Sequence, residues 1–255
     1  MIITKNEEKN IKECLVSVSS LADEIIVVDD YSLDKTVGIA ERFGVKVYQR
    51  KLVSLGEQKR FGVGRASGEW VLLLDADERL TKNLSAEVKR AVKSKEYDGY
   101  NFYFRSFLFG KPMKPVLSGG QILLFKKSKG KIVSDEVHER VQVRGRVGQL
   151  KNPLLHYSYP SVFEVINKFN RYTGPEALIA YKKGERGGIL KIIFAIPRVF
   201  FWRYFVGGEW KDGMHGFVLS MMFGIYHLLV QLKLWEIQSK KGPDRFASVR
   251  YVSKD

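Results

Sequence analysis

The sequence is poor in cysteine and lacks low-complexity tracts, internal repeats and an opening hydrophobic segment. Its single cysteine, Cys14, excludes an intramolecular disulfide and suits a reducing compartment. Lys5, Glu7 and Glu8 interrupt the first residues before a hydrophobic region can form, so no signal peptide is predicted. These absences predict a cytoplasmic protein, or one that is peripheral on the cytosolic face of the inner membrane.

Long uninterrupted hydrophobic runs are also scarce. The stretch "GILKIIFAIPRVFFWRYFV" is broken by Lys191, Pro197, Arg198 and Arg203. The unbroken apolar core of "GMHGFVLSMMFGIYHLLVQLKLWE" is shorter than the roughly 18 residues that a spanning helix needs. Tryptophan and phenylalanine mixed with lysine and arginine favour helices that lie in a bilayer interface, and the alternative is a pair of core helices.

Acidic residues are outnumbered, and the formal net charge is +15. Such a surplus is typical of proteins that meet nucleic acid, an anionic membrane surface or a phosphorylated substrate, although a merely basic surface gives the same number. Residues 182–255 contain 13 Lys or Arg against 6 Asp or Glu, in the same region as the two aromatic-rich helices. This coincidence favours an anionic membrane surface as the partner.

Strands and helices alternate through the first hundred residues. The predicted strands are "MIIT", "EIIVVDD", "VKVYQR" and "EWVLLLDADE", and helices are predicted between them, one with Ser32 as N-cap and Gly44 just past its end. This order predicts a parallel sheet whose site lies at the carboxyl ends of its strands. Aromatic, alternating segments from about Tyr97 to Tyr159 predict added antiparallel strands, and the chain turns helical from Ser161.

Two aspartates, Asp75 and Asp77, follow the hydrophobic run Leu72–Leu74, which is predicted to be a strand buried on both faces. A carboxylate pair at this spacing can hold Mg²⁺ or Mn²⁺ and leave open positions for a diphosphate. A solvated acidic turn is the alternative for an isolated pair of this kind. Other polar residues are predicted at neighbouring strand ends, which favours the metal site.

The predicted nucleotide contacts come from these neighbouring strand ends. Asp29 and Asp30 could accept hydrogen bonds from a uracil ring or a ribose hydroxyl, and Thr4 and Asn6 could contact the same nucleotide. Four further residues precede the acidic strand and could meet the base or a phosphate: Gln58, Lys59, Arg60 and Arg65.

Taken together, the motifs "IITKNEEKNIKECLVSV", "EIIVVDDYSLDKT", "GEWVLLLDADE", "VHERV" and "LKNPLLHYSY" resemble family-2 glycosyltransferases of GT-A fold. The nearest branch is the lipopolysaccharide-core beta-1,4-glucosyltransferases, and the resemblance runs from Met1 to about Trp235. It implies a UDP-sugar donor, a divalent metal and inversion at the anomeric carbon. The residues that match the family's motifs are Thr4, Asn6 and Glu7 in the first nucleotide loop, Asp29 after the second strand, and Asp75 and Asp77 at the metal and diphosphate. The variant "DDYSLD", where relatives tend to have "DSGSTD", leaves open whether Asp29 or Asp30 reads the uracil.

An inverting transferase also needs a carboxylate that takes the proton of the acceptor hydroxyl. The candidates lie in "SDEVHERV", where we expect Glu139 to be the base, His138 to orient it or touch a phosphate, and Asp135 to be the reserve. A structural hydrogen bond is the alternative for His138. His156 is expected to be structural, although some GT-A enzymes use a late histidine near the diphosphate.

The sequence therefore predicts an α/β protein with a GT-A (Rossmann-like) mixed sheet flanked by helices and a C-terminal helical, membrane-associating extension. The predicted domains are a catalytic domain, 1–160, with a nucleotide-binding half, 1–98, and an acceptor-side half, 99–160, followed by a helical region, 161–255. The expected activity is metal-dependent transfer of a sugar to a lipid-linked saccharide, and glucose is the expected sugar. The alternatives are a metal-dependent nucleotidyltransferase, for which a glycine-rich triphosphate loop is missing, and a basic nucleic-acid-binding protein, for which no recognition motif appears.

Overall fold

The computed structural model describes residues 1–52, 54–114, 120–134 and 139–239. The strands in these ranges are β1 Ile2–Thr4, β2 Ile26–Asp29, β3 Lys46–Gln49, β4 Trp70–Leu72, β5 Leu74–Asp75, β6 Glu78–Arg79, β7 Gly99–Phe102, β8 Phe104–Leu108, β9 Lys111–Pro112, β10 Gln121–Lys126, β11 Gly130–Ser134, β12 Glu139–Val143, β13 Val147–Gln149 and β14 Leu154–Tyr159. The helices are α1 Ile11–Ser19, α2 Thr36–Arg42, α3 Leu55–Arg65, α4 Lys82–Ser94, α5 Val162–Lys182, α6 Ile189–Ile193, α7 Ala195–Phe201 and α8 Met214–Ser239.

The chain forms two compact units. The first comprises Met1–Arg105 and Leu117–Tyr157, and the second comprises Ser106–Val116 and Ser158–Asp255. The sequence-based domain limits, 1–160 and 161–255, stay a prediction.

The first unit contains the predicted parallel sheet, in the order β3-β2-β1-β5. Thr4 pairs in register with Asp29, and Ile3 pairs with Asp75. Because the strands run in the same direction, their polar carboxyl ends meet at one edge of the sheet. The parallel arrangement predicted from the alternation of strands and helices is therefore confirmed.

The run Trp70–Asp75 does not form one continuous strand. It divides at Leu73, where the Leu73 N–H donates to the Leu123 carbonyl at 2.8 Å and the next N–H, that of Leu74, donates to the Met1 carbonyl at 3.0 Å. On one side β4 joins an antiparallel pair with β10, and on the other side β5 pairs with β1. Leu73 and Leu74 are both buried, as the hydrophobic run predicts, whereas Leu72 is half-buried. The sheet that contains β4 and the sheet that contains β5 thus meet at the segment that carries the acids.

The aromatic segments form several of the predicted antiparallel pairs. β10 pairs antiparallel with β7, and β11 pairs antiparallel with β12. The strand β13 differs, because it runs parallel to β7, with Val147 opposite Gly99.

One predicted helix cap is wrong. Helix α2 begins at Thr36, and Ser32 lies upstream of it in a loop. Its hydroxyl donates instead to the Asp29 carboxylate. The end of α2 is as predicted, since Gly44 follows it with a positive φ of 68°, a conformation that glycine adopts without strain.

In the second unit, α5 and α8 form the core. Leu234 and Ile237 of α8 are fully buried and pack with Ala177 of α5, while Phe169 of α5 packs with Met222 of α8. The unit also buries polar groups, several of which have hydrogen-bond partners. The Lys233 ammonium donates to the Asn170 and Thr173 side chains at 2.8 Å, and the Glu209 carboxylate binds Arg203 and Ser220.

Helix α8 is longer than the segment predicted from the sequence. Its 26 residues, Met214–Ser239, meet the length and composition of a membrane-crossing helix, whereas the sequence predicted a segment too short to span. A core helix of a soluble protein meets the same two criteria, so this finding alone is weak evidence for a span.

Candidate active site

Three acids lie together at the carboxyl edge of the parallel sheet. The side chain of Asp75 is 43% exposed and that of Asp77 is 13% exposed, whereas Glu78 is buried. Glu78 accepts a hydrogen bond from the Asp75 N–H at 3.0 Å. Burial, together with the negative charges of Asp75 and Asp77, raises the pKa of Glu78 to about 8. The most exposed of the three carboxylates is therefore the one best placed to meet a ligand.

A buried lysine joins this acidic edge to a strand far away in the sequence. The Lys59 ammonium lies 2.8 Å from Oε1 of Glu139 and 3.5 Å from Oδ1 of Asp75. Lys59 is on α3, and only 9% of its side chain is exposed. Burial alone would lower the pKa of Lys59, but the charges of Asp75 and Glu139 outweigh it and raise that pKa above its usual value. Lys59 is thus a charged bridge between two carboxylates.

Glu139 is the one predicted base candidate that the structure describes. It begins β12, opposite Ser134 in the hairpin with β11, and its side chain is 18% exposed. The other members of the cluster, Asp135, Glu136 and His138, lie outside the described residues. The structure therefore brings Glu139 to the acidic edge through Lys59.

His156 also reaches the acids. Its Nε2 atom lies 3.4 Å from Oδ2 of Asp77, and its backbone pairs with Glu78 across β14 and β6. Its ring packs at 5.8 Å from the ring of Phe104. The sequence predicts a structural histidine here, with a place near the diphosphate as the alternative. The closeness of His156 to Asp77 depends on strand pairing, which the local sequence does not indicate.

The first predicted nucleotide loop is held by hydrogen bonds from its backbone to the loop after β2 and to the first residue of α2. The Asn6 N–H donates to the Ser32 hydroxyl at 2.8 Å, and the Glu7 N–H donates to the Thr36 hydroxyl at 2.8 Å. Asn6 itself has a positive φ of 53°, which asparagine tolerates better than most residues. The hydroxyl of Thr4 is buried and has no hydrogen-bond partner among the described residues. A buried polar atom of this kind is a candidate contact for a bound ligand.

The two aspartates after β2 have different partners. Asp29 is fully buried and accepts hydrogen bonds from the Ser32 N–H at 2.8 Å and from the Gln49 side-chain amide at 3.3 Å. Asp30 accepts from the Lys5 ammonium at 2.8 Å and from the Leu52 N–H at 2.7 Å. Both carboxylates therefore order the loops around the edge of the sheet.

The four residues predicted to meet the base or a phosphate fall in different places. Gln58 is buried and donates to the Arg50 carbonyl at 2.8 Å, and Arg60 lies near the Ile132 carbonyl at 3.4 Å. Arg65 stacks over the Phe61 ring at 3.9 Å. Of the four, Lys59 is the residue that contacts Asp75.

The edge suits a divalent metal that arrives with other ligands. Within the described ranges, no three His, Cys, Asp or Glu side chains are grouped as a complete metal site. Asp75 and Asp77 offer hard oxygen atoms, and the exposure of Asp75 leaves it open to an incoming ion. The donor set therefore fits Mg²⁺ or Mn²⁺ held jointly by the chain and by a diphosphate.

Comparison with known proteins identifies the family. The model of glycosyl transferase family 2 matches residues 1–133. An uncharacterised glycosyltransferase of Rickettsia bellii is 31% identical over 256 residues, which cover 95% of this chain and 87% of the relative. The lipopolysaccharide core biosynthesis glycosyltransferase LpsC of Rhizobium meliloti is 30% identical over 251 residues, which cover 94% of this chain and 93% of LpsC.

Among solved structures, S. aureus TarS 1–349 in complex with UDP-GlcNAc is similar, with a TM-score of 0.47 and 14% identity over 94% of this chain and 91% of that chain. The family match and the full-length relatives agree with the mixed α/β architecture described above. The chain therefore belongs to glycosyl transferase family 2, and it is a glycosyltransferase of GT-A fold.

Proposed function

We propose that the protein transfers a sugar, with glucose expected, from a UDP-sugar to a hydroxyl of a lipid-linked saccharide such as lipopolysaccharide core. The observation that carries the proposal is the charged chain Glu139–Lys59–Asp75 at the carboxyl edge of the parallel sheet. It brings together a carboxylate that can accept a proton and a carboxylate that can meet a diphosphate. The likeness to LpsC over nearly the whole length of both chains supports the choice of acceptor.

Two groups of residues at this edge of the sheet would have different roles. Thr4, Asn6 and Asp29 would hold the nucleotide, and the buried Thr4 hydroxyl would gain a partner there. Asp75 and Asp77 would hold Mg²⁺ or Mn²⁺, which, when bound, neutralises the charge that grows on the departing diphosphate. His156, beside Asp77, would fix the orientation of that carboxylate.

Glu139 would act as the base. In an inverting transfer, the acceptor oxygen forms a bond to the anomeric carbon while the bond from that carbon to the UDP oxygen breaks, and Glu139 takes the hydroxyl proton. The ion pair with Lys59 at 2.8 Å holds the carboxylate in one place before the acceptor arrives. A base held in one place raises the rate more than a mobile one, because its geometry is already close to the reactive geometry.

The activity is tested with the purified chain, a panel of UDP-sugars, Mn²⁺ or Mg²⁺, and lipopolysaccharide of truncated core as acceptor. We expect UDP release that depends on the acceptor, and thermal stabilisation by the correct donor, because a ligand that binds the native state raises its stability. Release of pyrophosphate from a nucleoside triphosphate would instead indicate a nucleotidyltransferase. A salt-sensitive mobility shift of nucleic acid without sugar-nucleotide binding would favour the nucleic-acid alternative.

The same proposal places the protein on a membrane surface. Large apolar side chains are exposed throughout residues 189–214, which we name the exposed aromatic segment, and they include Phe201, Trp202 and Trp210, each more than half exposed. Exposed apolar surface of this density in a soluble protein marks an interaction site. Three exposed basic residues accompany them: Lys191, Arg198 and Lys211. Apolar and basic side chains mixed in this way suit the interface of an anionic bilayer.

Within the second unit, the exposed aromatic segment is a better candidate for lipid contact than α8. Helix α8 buries Ser220 against Glu209 and buries Lys233 against Asn170 and Thr173, contacts that a lipid-facing helix would have to give up. Arg203 is not part of the exposed basic group, because it binds the buried Glu209 carboxylate. We therefore propose peripheral attachment through residues 189–214, with the acceptor presented by the same membrane.

A further inference from the structure

Lys59 contacts two carboxylates to which the proposed function gives different tasks. We propose that Lys59 is a positioning residue that occupies Asp75 in the donor-free enzyme, so that a divalent metal binds well only together with the diphosphate of the donor. This inference rests on the proposed function, because it takes Asp75 as a metal-binding carboxylate and Glu139 as the base. It assigns Lys59 to the control of metal binding, where the sequence suggested a direct contact with the nucleotide.

The geometry fixes the lysine in place. Lys59 is in the interior of α3, its side chain is 9% exposed, and its ammonium is within 3.5 Å of both carboxylates. A lysine at the surface could move its ammonium into water when another cation approaches. A buried lysine would have to leave its carboxylate partners and keep its charge in the protein interior, which is unfavourable. The positive charge therefore stays beside Asp75 when another cation approaches.

Two positive charges at one carboxylate repel each other. A divalent ion bound to Asp75 would lie a few ångströms from the Lys59 ammonium, in a partly buried place where charges interact more strongly than in water. The diphosphate of a UDP-sugar brings negative charge to the same point and offsets the repulsion. Metal and donor are then expected to bind cooperatively, with each raising the affinity for the other.

The two contacts of Lys59 are unequal, which indicates the carboxylate that changes partner. Its distance to Glu139 is 2.8 Å, a normal ion-pair hydrogen bond, whereas its distance to Asp75 is 3.5 Å. Asp75 is also the more exposed of the two, at 43% against 18%. Asp75 can therefore turn to the metal while Lys59 keeps Glu139 in position for the acceptor.

The test measures Mn²⁺ binding by the full chain, with and without UDP, using the electron paramagnetic resonance signal of free Mn²⁺. Lys59→Gln removes the charge, Lys59→Arg keeps it, and Lys126→Gln is the matched control, because it breaks a Lys–Asp pair of 3.0 Å in the same unit, formed with Asp98. We expect Lys59→Gln to bind Mn²⁺ without UDP about tenfold more tightly than the wild type, from the loss of one neighbouring charge. Lys59→Arg and Lys126→Gln should keep the weak, UDP-dependent binding of the wild type.

A wild type that binds Mn²⁺ with UDP, combined with a folded Lys59→Gln that gains no affinity without UDP, overturns this inference and leaves the proposed function standing. An equal gain in Lys126→Gln overturns it as well. A wild type that binds no Mn²⁺ even with UDP overturns the metal assignment and this inference with it. If Lys59→Gln fails to fold because Glu139 loses its partner, the double variant Lys59→Gln/Glu139→Gln removes both charges, leaves Asp75 unchanged, and is held to the same expectation.

Discussion

Replacing Glu78 by glutamine should stabilise the protein, and more so as the pH rises. Glu78 is 4% exposed, follows Asp75 and Asp77 in the sequence, and has a pKa raised from 4.5 to about 8 by burial and by those two charges. Glutamine keeps the size of the side chain and an oxygen for the Asp75 N–H, which donates to Glu78 at 3.0 Å. It removes only the charge that the folded protein has to bury.

The direction of the pH dependence follows from the protonation of Glu78 in the folded and unfolded chain. Between pH 4.5 and about 8, the folded chain keeps a proton on Glu78 that the unfolded chain has released. The folded state then binds more protons than the unfolded state, so the free energy of unfolding falls as the pH rises through this window. Each unit of difference in pKa corresponds to about 1.4 kcal/mol, which gives a loss of about 3 kcal/mol by pH 7 and about 4 to 5 kcal/mol above pH 8.

Urea unfolding of the wild type and of Glu78→Gln, followed by tryptophan fluorescence at pH 5, 6, 7 and 8 in EDTA, measures this difference. We expect Glu78→Gln to gain little at pH 5 and to gain most at pH 8. Glu87→Gln is the matched control. Burial would raise the pKa of Glu87, but hydrogen bonds from the Lys151 N–H and from Asn152 outweigh it and lower that pKa. Its stabilisation is therefore present at neutral pH and lost in acid, so Glu87→Gln should destabilise at pH 7. A gain in Glu78→Gln that does not change with pH would refute the reasoning.

Three further predictions concern function. Asp77→Ala should abolish transfer and weaken Mn²⁺-dependent UDP binding while the melting temperature stays close to that of the wild type, and full activity of this variant in EDTA would contradict the metal assignment. Glu139→Gln should lower turnover by roughly a hundredfold, the usual worth of a positioned base, with donor affinity unchanged in a fluorimetric titration; normal turnover, with a loss in Asp135→Asn instead, would move the base. The protein should sediment with vesicles that contain anionic lipid at low salt. High salt, or a combined change of Lys191, Arg198 and Lys211 to Gln, should weaken this sedimentation, since each basic side chain near the surface contributes about 1 kcal/mol. A protein that stays in the supernatant with anionic vesicles at low salt would contradict the attachment.

The acidic edge could be predicted from the sequence because it depends on local order. A strand that ends in a polar residue places that residue at the sheet edge whatever else the chain does, and three such strands carry Thr4, Asp29 and Asp75. Their alternation with helices fixes the parallel direction. The strand pattern and the position of each residue at the end of its strand therefore suffice to predict that these three residues lie close together.

The partners across the edge could not be predicted in the same way. Lys59 and Glu139 are 80 positions apart, and their contact depends on how α3 packs beside β12. His156 reaches Asp77 through the register of β14 against β6. Periodicity gives the face of an element but not the neighbour that covers it. The error at Ser32 has a local cause, since a serine three residues after an aspartate can donate its hydroxyl to that carboxylate as well as cap a helix.

The division of the acidic strand at Leu73 has a consequence for sequence variation. Successive N–H groups of this segment point to opposite neighbours, Leu123 on one side and Met1 on the other. A residue added or removed here would shift one pairing relative to the other by a single position, and each such shift turns the side chains to the opposite face. Asp75 would then leave the edge. The length of this segment is fixed by two sheets at once, whereas the surface loops elsewhere in the chain can vary in length.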